Sequence, residues 1–173
     1  NGEYTLVYQR YSRNSTVLNI FAPDQTGSSY TSVIPTTNLA ICNNSPVFSN
    51  LPPTVICADS PLFINQSATD IDGDSLVYSL VSPFHGSSNF DPTGTYPPPY
   101  DQLPWADGYS EAYPMDSNPV LSIGANSGLI TGTPTQEGFY VIGIKVEEYR
   151  NGVYLGEILR DFRFLVVDCE IAT

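Results

Sequence analysis

The chain is expected to fold as an all-β sandwich, on three observations. Valine, isoleucine, tyrosine, phenylalanine and threonine dominate it, and branched and aromatic side chains suit a pleated, half-buried surface. Fifteen prolines and 13 glycines are spread as punctuation between short apolar runs, which is the spacing of short strands joined by turns. Two stretches whose apolar residues recur at every second position flank Asn151-Gly152, a dipeptide whose readiness for positive φ makes it a strong hairpin signal.

The elements follow in order. Tyr4–Tyr8 alternates, Thr16–Phe21 is rich in β-formers, and Ser29–Ile34 alternates before Pro35. Three strands alone bury little. Residues 1–41 are therefore expected to be the terminal strands of a preceding β domain, or strands that dock on a neighbour. Because Asn1 opens directly into a strand-like run, the chain reads as a piece of a longer protein. Residues 42–53 carry Pro46, Pro52 and Pro53, which forbid helix and favour extended chain, so a linker is expected there.

A compact sandwich is expected over 54–173. Leu76, Tyr78 and Leu80 alternate in an early strand, and Tyr140, Ile142, Ile144 and Val146 share one face of a later one. After the hairpin, Phe162, Phe164 and Val166 share a face opposite Asp161 and Arg163. Between them, 83–119 is too long for a hairpin loop and is rich in proline and aromatics: Phe84, Phe90, Tyr96, Tyr100, Trp105, Tyr109 and Tyr113. Flat rings among prolines can stack on sugars, which makes Trp105, Tyr100, Tyr109 and Tyr113, with Tyr96, candidate ligand contacts. The competing reading is that they cap the sandwich edge or meet another subunit.

Eighteen acidic residues face six basic ones, for a formal charge of −12. Nucleic acid and anionic membrane surfaces carry the same sign and are not expected as partners. No apolar run is long enough to span a bilayer, so membrane insertion is not expected. Cys42, Cys57 and Cys169 form no CxxC zinc pattern. A tyrosine- and asparagine-rich β chain fits an oxidising exterior, where one disulfide forms and one thiol is left over.

An enzyme is not expected, and no catalytic residue is assigned. His85 is the single histidine, no Gly-x-Ser-x-Gly elbow is present, and neighbouring Glu147 and Glu148 point to opposite faces of a strand.

The strongest chemical signal is Ser67–Leu76, which holds Asp70, Asp72 and Asp74 within five residues. Three anions so close repel unless water or a cation relieves them, and hard oxygen ligands suit calcium. An EF-hand is ruled out, because its sixth position would need glycine and its twelfth glutamate, whereas the chain has Ser75 and Val81. The remaining ligands must come from elsewhere. Glu148 shares the parity of Tyr140 to Val146, and a carboxylate continuing a buried face needs a partner. Asn43 and Asn44 of the linker can bring amide and backbone oxygens to the same pole.

The order of motifs resembles a cadherin-like domain. It runs from Asn43-Asn44-Ser45-Pro46-Val47-Phe48 through Ala68–Asp74 to Leu121–Ile123 with Ser127–Gly132, then Tyr140 to Glu148. Gly132-Thr133-Pro134 and Gly138-Phe139-Tyr140 resemble Ig-like modules of bacterial surface proteins. Over nearly the whole chain there is a closer likeness. Tyr8-Gln9-Arg10 with Arg13-Asn14, Cys42–Pro46, Glu148–Gly152, Asp161–Phe164 and Val166–Cys169 resemble repeats of large secreted Bacteroidota proteins, gliding-motility-associated or adhesin-like.

The resemblance implies an Ig-like or cadherin-like Greek-key sandwich. It also implies calcium at a domain junction, held by Asp70, Asp72, Asp74 and Glu148 with Asn43 or Asn44. From that topology Cys57 is paired with Cys169, with Cys42–Cys57 as the rival. The implied role is a structural, adhesive module on the outside of a bacterial cell. Its partners would be neighbouring domains of the same protein, identical subunits, or cell-surface and polysaccharide targets. A filament subunit assembled by strand addition and a sugar-binding module are the alternatives. The chain departs from the family at Tyr11 and Ser12, where cysteines are frequent, at Asn43, where cadherins have aspartate, and in the insertion at 83–119.

Overall fold

A computed structural model describes residues 2–39, 42–87 and 97–169. Phe90 and Tyr96 lie outside the described residues. The fold is all β: eleven strands and one short 3-10 turn are assigned among those residues. They are β1 (Tyr4–Arg10), β2 (Ser28–Ile34), β3 (Val47–Phe48), β4 (Val55–Cys57), β5 (Leu62–Asn65) and β6 (Ala68–Thr69), then β7 (Ser75–Val81), β8 (Ser122–Ile123), β9 (Leu129–Gly132), β10 (Gly138–Arg150) and β11 (Val153–Val167).

The main sheet runs β1-β2-β11-β10-β7, and β4 pairs in parallel with the far end of β11. A smaller sheet of β5, β9 and β8 faces it. Between them lie Ile64, Met115, Leu121 and Ile130 against Tyr140, Ile142, Ile144, Phe164 and Val166. The alternation read from the sequence decides this face: one wrong parity would turn every one of those side chains to the opposite side. Asn151 and Gly152 both take positive φ, 53° and 80°, which is the geometry of a type I′ hairpin turn matched to the twist of its strands.

The N-terminal part differs from expectation. Residues 1–41 are neither the end of a separate domain nor strands on a neighbour: β1 and β2 extend the same sheet as β10 and β11. Ser32 pairs with Ile158 of the long β11, whose 15 residues leave an edge for β2 beside the stretch that β4 uses. Thr16–Phe21 is not a strand. Asn14 Oδ1 accepts from the Thr16 backbone N–H (3.0 Å) and hydroxyl (2.8 Å), closing a local turn. Beyond it, the backbone makes only isolated bridges, Val17 with Phe139 and Ile20 with Trp105.

This segment covers the second face of the main sheet. Val17, Ile20, Leu103 and Val141 form a separate buried cluster, with Trp105 and Phe139 packed against it. Asn19, fully buried, pins the layer: it accepts from the Val141 N–H at 3.0 Å and donates to the Val141 carbonyl at 2.8 Å and to the Pro114 carbonyl. The insertion thus reaches both faces, with Leu103 in one cluster and Met115 in the other.

The expected linker is partly structured. β3 pairs with β6, and the Ser49 N–H donates to Ser67 O at 2.9 Å. Arg160 lies over the Phe48 ring (3.9 Å to its centroid) and donates to Asn50 O (2.7 Å) and Gln66 Oε1 (2.9 Å). These contacts fasten residues 47–50 to the sandwich.

Candidate metal centre

Three segments meet at one pole: the loop after β6, the end of β10, and the start of the linker. In the loop, Asp70 Oδ1 accepts from the backbone N–H groups of Asp72 (2.9 Å) and Asp74 (3.0 Å). Such local bonds wrap the loop around its first carboxylate. Gly73 completes the turn at φ 81°, a conformation that a side chain would resist. Only one oxygen of Asp70 is spent on the backbone. Its Oδ2 is buried without a hydrogen-bond partner.

Glu148 reaches the same point from β10. Its face is set by the parity of Tyr140, Ile142, Ile144 and Val146, each fully buried, and Glu148 itself is 2% exposed. Its Oε1 is the second buried carboxylate oxygen without a partner. Burial pushes the Glu148 carboxyl up to about 7, with Asp74 and Asp70 reinforcing the shift and Asn43 opposing it. One oxygen each of Asp70, Asp74 and Glu148 lie within 4.8 Å of one another. Calcium binds oxygen at about 2.3–2.6 Å, so ligands on opposite sides of one ion are separated by up to about 5 Å. The three oxygens therefore fit around a single ion.

The other residues named from the sequence take different positions. Arg150, two residues beyond Glu148, donates to both oxygens of Asp74 from Nε (2.7 Å) and Nη2 (2.6 Å) and holds that carboxyl below its usual range. The same Nη2 donates to Asn43 Oδ1 at 2.8 Å and lies 3.7 Å from Asp72. Asp72 faces the linker, accepting from the Asn44 backbone N–H at 2.7 Å and the Asn44 side-chain amide at 3.1 Å. Asp72 and Asn44 thus tie the loop to the linker rather than joining the trio of carboxylates. Arg150 is the participant that sequence reasoning missed. Its signal was its place two residues past Glu148, on the strand that delivers that carboxylate.

The pair Cys57–Cys169 is bonded, across 112 residues of sequence, and Cys42 is free and exposed. The pairing follows from β4 and β11 running side by side, with Val167 opposite Cys57.

The aromatic candidates are half-buried in the chain's own packing. The Trp105 indole N–H donates to Ser82 Oγ at 2.8 Å. Tyr109 stacks on Tyr113 with centroids 6.4 Å apart and shares Asp116 Oδ2 as an acceptor with Tyr140. Tyr100 lies against Phe84, 5.8 Å between centroids. His85 makes a 2.8 Å contact with the neighbouring Gly86 carbonyl.

Compared with known families, curated proteins and solved structures, the chain matches none of them significantly. The likeness to cadherin-like repeats therefore rests on the motif residues themselves.

Proposed function

We propose that this chain is a structural, adhesive β-sandwich module of a secreted bacterial surface protein, stiffened by calcium where the linker meets the sandwich. The observation that carries the reading is the pair of buried, unpartnered carboxylate oxygens on Asp70 and Glu148 beside Asp74. Buried carboxylate oxygens without partners are costly, and a divalent cation relieves that cost. Asp70, Asp74 and Glu148 would hold the ion, and the Asn43 side chain is near enough to complete the set. Asp72 would act through the linker, since it already binds Asn44.

Residues 47–50 are fastened without metal and β1 and β2 already lie in the main sheet, so calcium would lock residues 43–45 and the Asp70–Asp74 loop against the end of β10. The Cys57–Cys169 bridge supports an oxidising location. No helix among the described residues is long and apolar enough to cross a membrane.

The test is thermal unfolding with calcium and with chelator, for the native chain and for Asp70→Asn. At calcium 100-fold above its dissociation constant the native chain gains about 2.7 kcal/mol. A gain of that size lost in Asp70→Asn supports the reading. No calcium-dependent shift in the native chain refutes it.

A second reading, the filament subunit, is favoured by one observation. Strand β1 is the edge of the main sheet, and its Tyr4, Leu6 and Tyr8 are each more than 60% exposed. Such an edge offers backbone groups for strand addition. Polymers of the purified chain in electron micrographs, abolished by Leu6→Lys, would favour it.

A further inference from the structure

The chain has six basic residues against 18 acidic ones, and four of the six are already engaged. Lys145 pairs with Glu147 and Glu157, Arg150 with Asp74, and Arg13 with Asp161. Arg160 spends its guanidinium on Asn50 and Gln66. The guanidinium groups of Arg10 and Arg163 have no hydrogen bond or ion pair among the described residues. Both are exposed, and both line one cleft of about 280 Å³ on the outer face of the main sheet. Two unpaired guanidinium groups in one concavity of a strongly acidic protein are a local reversal of its charge.

The cleft is built rather than accidental. Its floor is the Arg13–Asp161 pair, whose side chains are 9% and 7% exposed. Arg13 is held from a second side by Nε donating to Gly27 O at 3.0 Å. Asp161 is the single acidic residue lining the cleft and is already neutralised by Arg13, so it does not cancel Arg10 and Arg163. The Arg163 guanidinium stacks on the Phe139 ring, 4.3 Å from its centroid. Stacking leaves the N–H edge free to meet a planar acceptor. Around the charges sit Asn14, whose amide oxygen is spent on Thr16 while its NH₂ is unspent, and Tyr30.

We propose that this cleft binds a carboxylate-bearing sugar residue, with the carboxylate between Arg10 and Arg163 and the ring hydroxyls against Asn14 and Tyr30. Arginine matches a carboxylate with two parallel N–H···O bonds, which fixes its orientation as well as its charge. The net charge of −12 disfavours a polyanion, whose remaining charges would meet an acidic surface. A ligand with an isolated carboxylate and otherwise neutral hydroxyls escapes that repulsion. An acidic peptide would use the guanidinium groups and leave the polar flank unmatched. The proposal does not depend on calcium at the opposite pole.

The test is NMR titration of the full chain with glucuronate, following arginine Nε–Hε signals, against glucose, acetate and a glutamate-containing peptide. The expected result is saturable binding of glucuronate at least tenfold tighter than acetate or the peptide, with no response to glucose. Arg10→Gln and Arg163→Gln should each weaken it at least tenfold; the exposed Arg10→Gln should leave the melting temperature unchanged, and Arg163→Gln, which also gives up its stack on Phe139, should keep the native circular dichroism spectrum. No saturable glucuronate binding by the native chain overturns the proposal. So does equal binding of acetate or of the peptide, or binding retained in the double variant.

Discussion

Glu148→Gln gives the sharpest test of the metal centre, because its effect should change with both pH and calcium. The Glu148 carboxyl is pushed up to about 7 from an ordinary 4.5, first by burial and then by Asp74 and Asp70. A carboxylate raised on folding holds its proton more tightly in the native state. Its contribution is thus fully present below the unfolded value, near pH 4.5, and is lost as pH rises through 7. At about 1.36 kcal/mol per unit, the buried charge costs about 3 kcal/mol above pH 7. Glutamine is neutral throughout and nearly isosteric.

In chelator at pH 8 the variant should therefore be more stable than the native chain by about 3 kcal/mol. That is about 6–12 °C in melting temperature for a domain of this size. At pH 4 the two should melt together. With calcium at 100-fold its dissociation constant, the native chain should recover about 2.7 kcal/mol and the variant little, closing the gap at pH 8. Calorimetry at the two pH values, with and without calcium, reads all four combinations. A variant less stable than the native chain at pH 8 in chelator would refute the reasoning. A difference independent of pH would do the same.

Arg150→Gln should destabilise the metal-free chain, because Asp74, whose side chain is 3% exposed, loses both its charged bonds; urea unfolding measures it, and calcium should narrow the loss. Reducing the Cys57–Cys169 bridge releases a loop of more than 100 residues and should cost about 4–5 kcal/mol, while only Cys42 should react with a thiol reagent in the native oxidised chain. Asn19→Ala removes three bonds that hold the N-terminal layer to Val141 and Pro114. It should cost about 3 kcal/mol and expose residues 14–26 to proteolysis. Trp105 is committed to Ser82 and the Val17 cluster, so its fluorescence should not respond to neutral polysaccharides; a saturable change would show that the aromatic insertion binds sugar.

Much of this molecule was decided by short-range chemistry that a sequence displays. The parity of Tyr140 through Glu148 settles which face of β10 meets the smaller sheet, because the side-chain period of a strand is two and cannot drift. Asn151-Gly152 sets the hairpin, because few other dipeptides accept positive φ twice. The spacing of Asp70, Asp72 and Asp74 places three carboxylates in one loop, whatever the rest of the chain does.

Tertiary structure decided the matters of long-range pairing. Nothing in Tyr4–Arg10 or Ser28–Ile34 says that the sheet they join is that of β10 and β11, since an edge strand pairs with any edge of suitable register. Thr16–Phe21 has strand composition, but Asn14 turned it locally and buried Asn19 used up the backbone groups of Val141 that a neighbour would need. Asp72 and Asp74 look equivalent in sequence, yet one meets Asn44 and the other Arg150, because loop wrapping about Asp70 points them apart. The Arg10–Arg163 cleft joins residues more than 150 positions apart. Charge counts show that basic residues are scarce, but only packing shows that the two unpaired ones share a cavity.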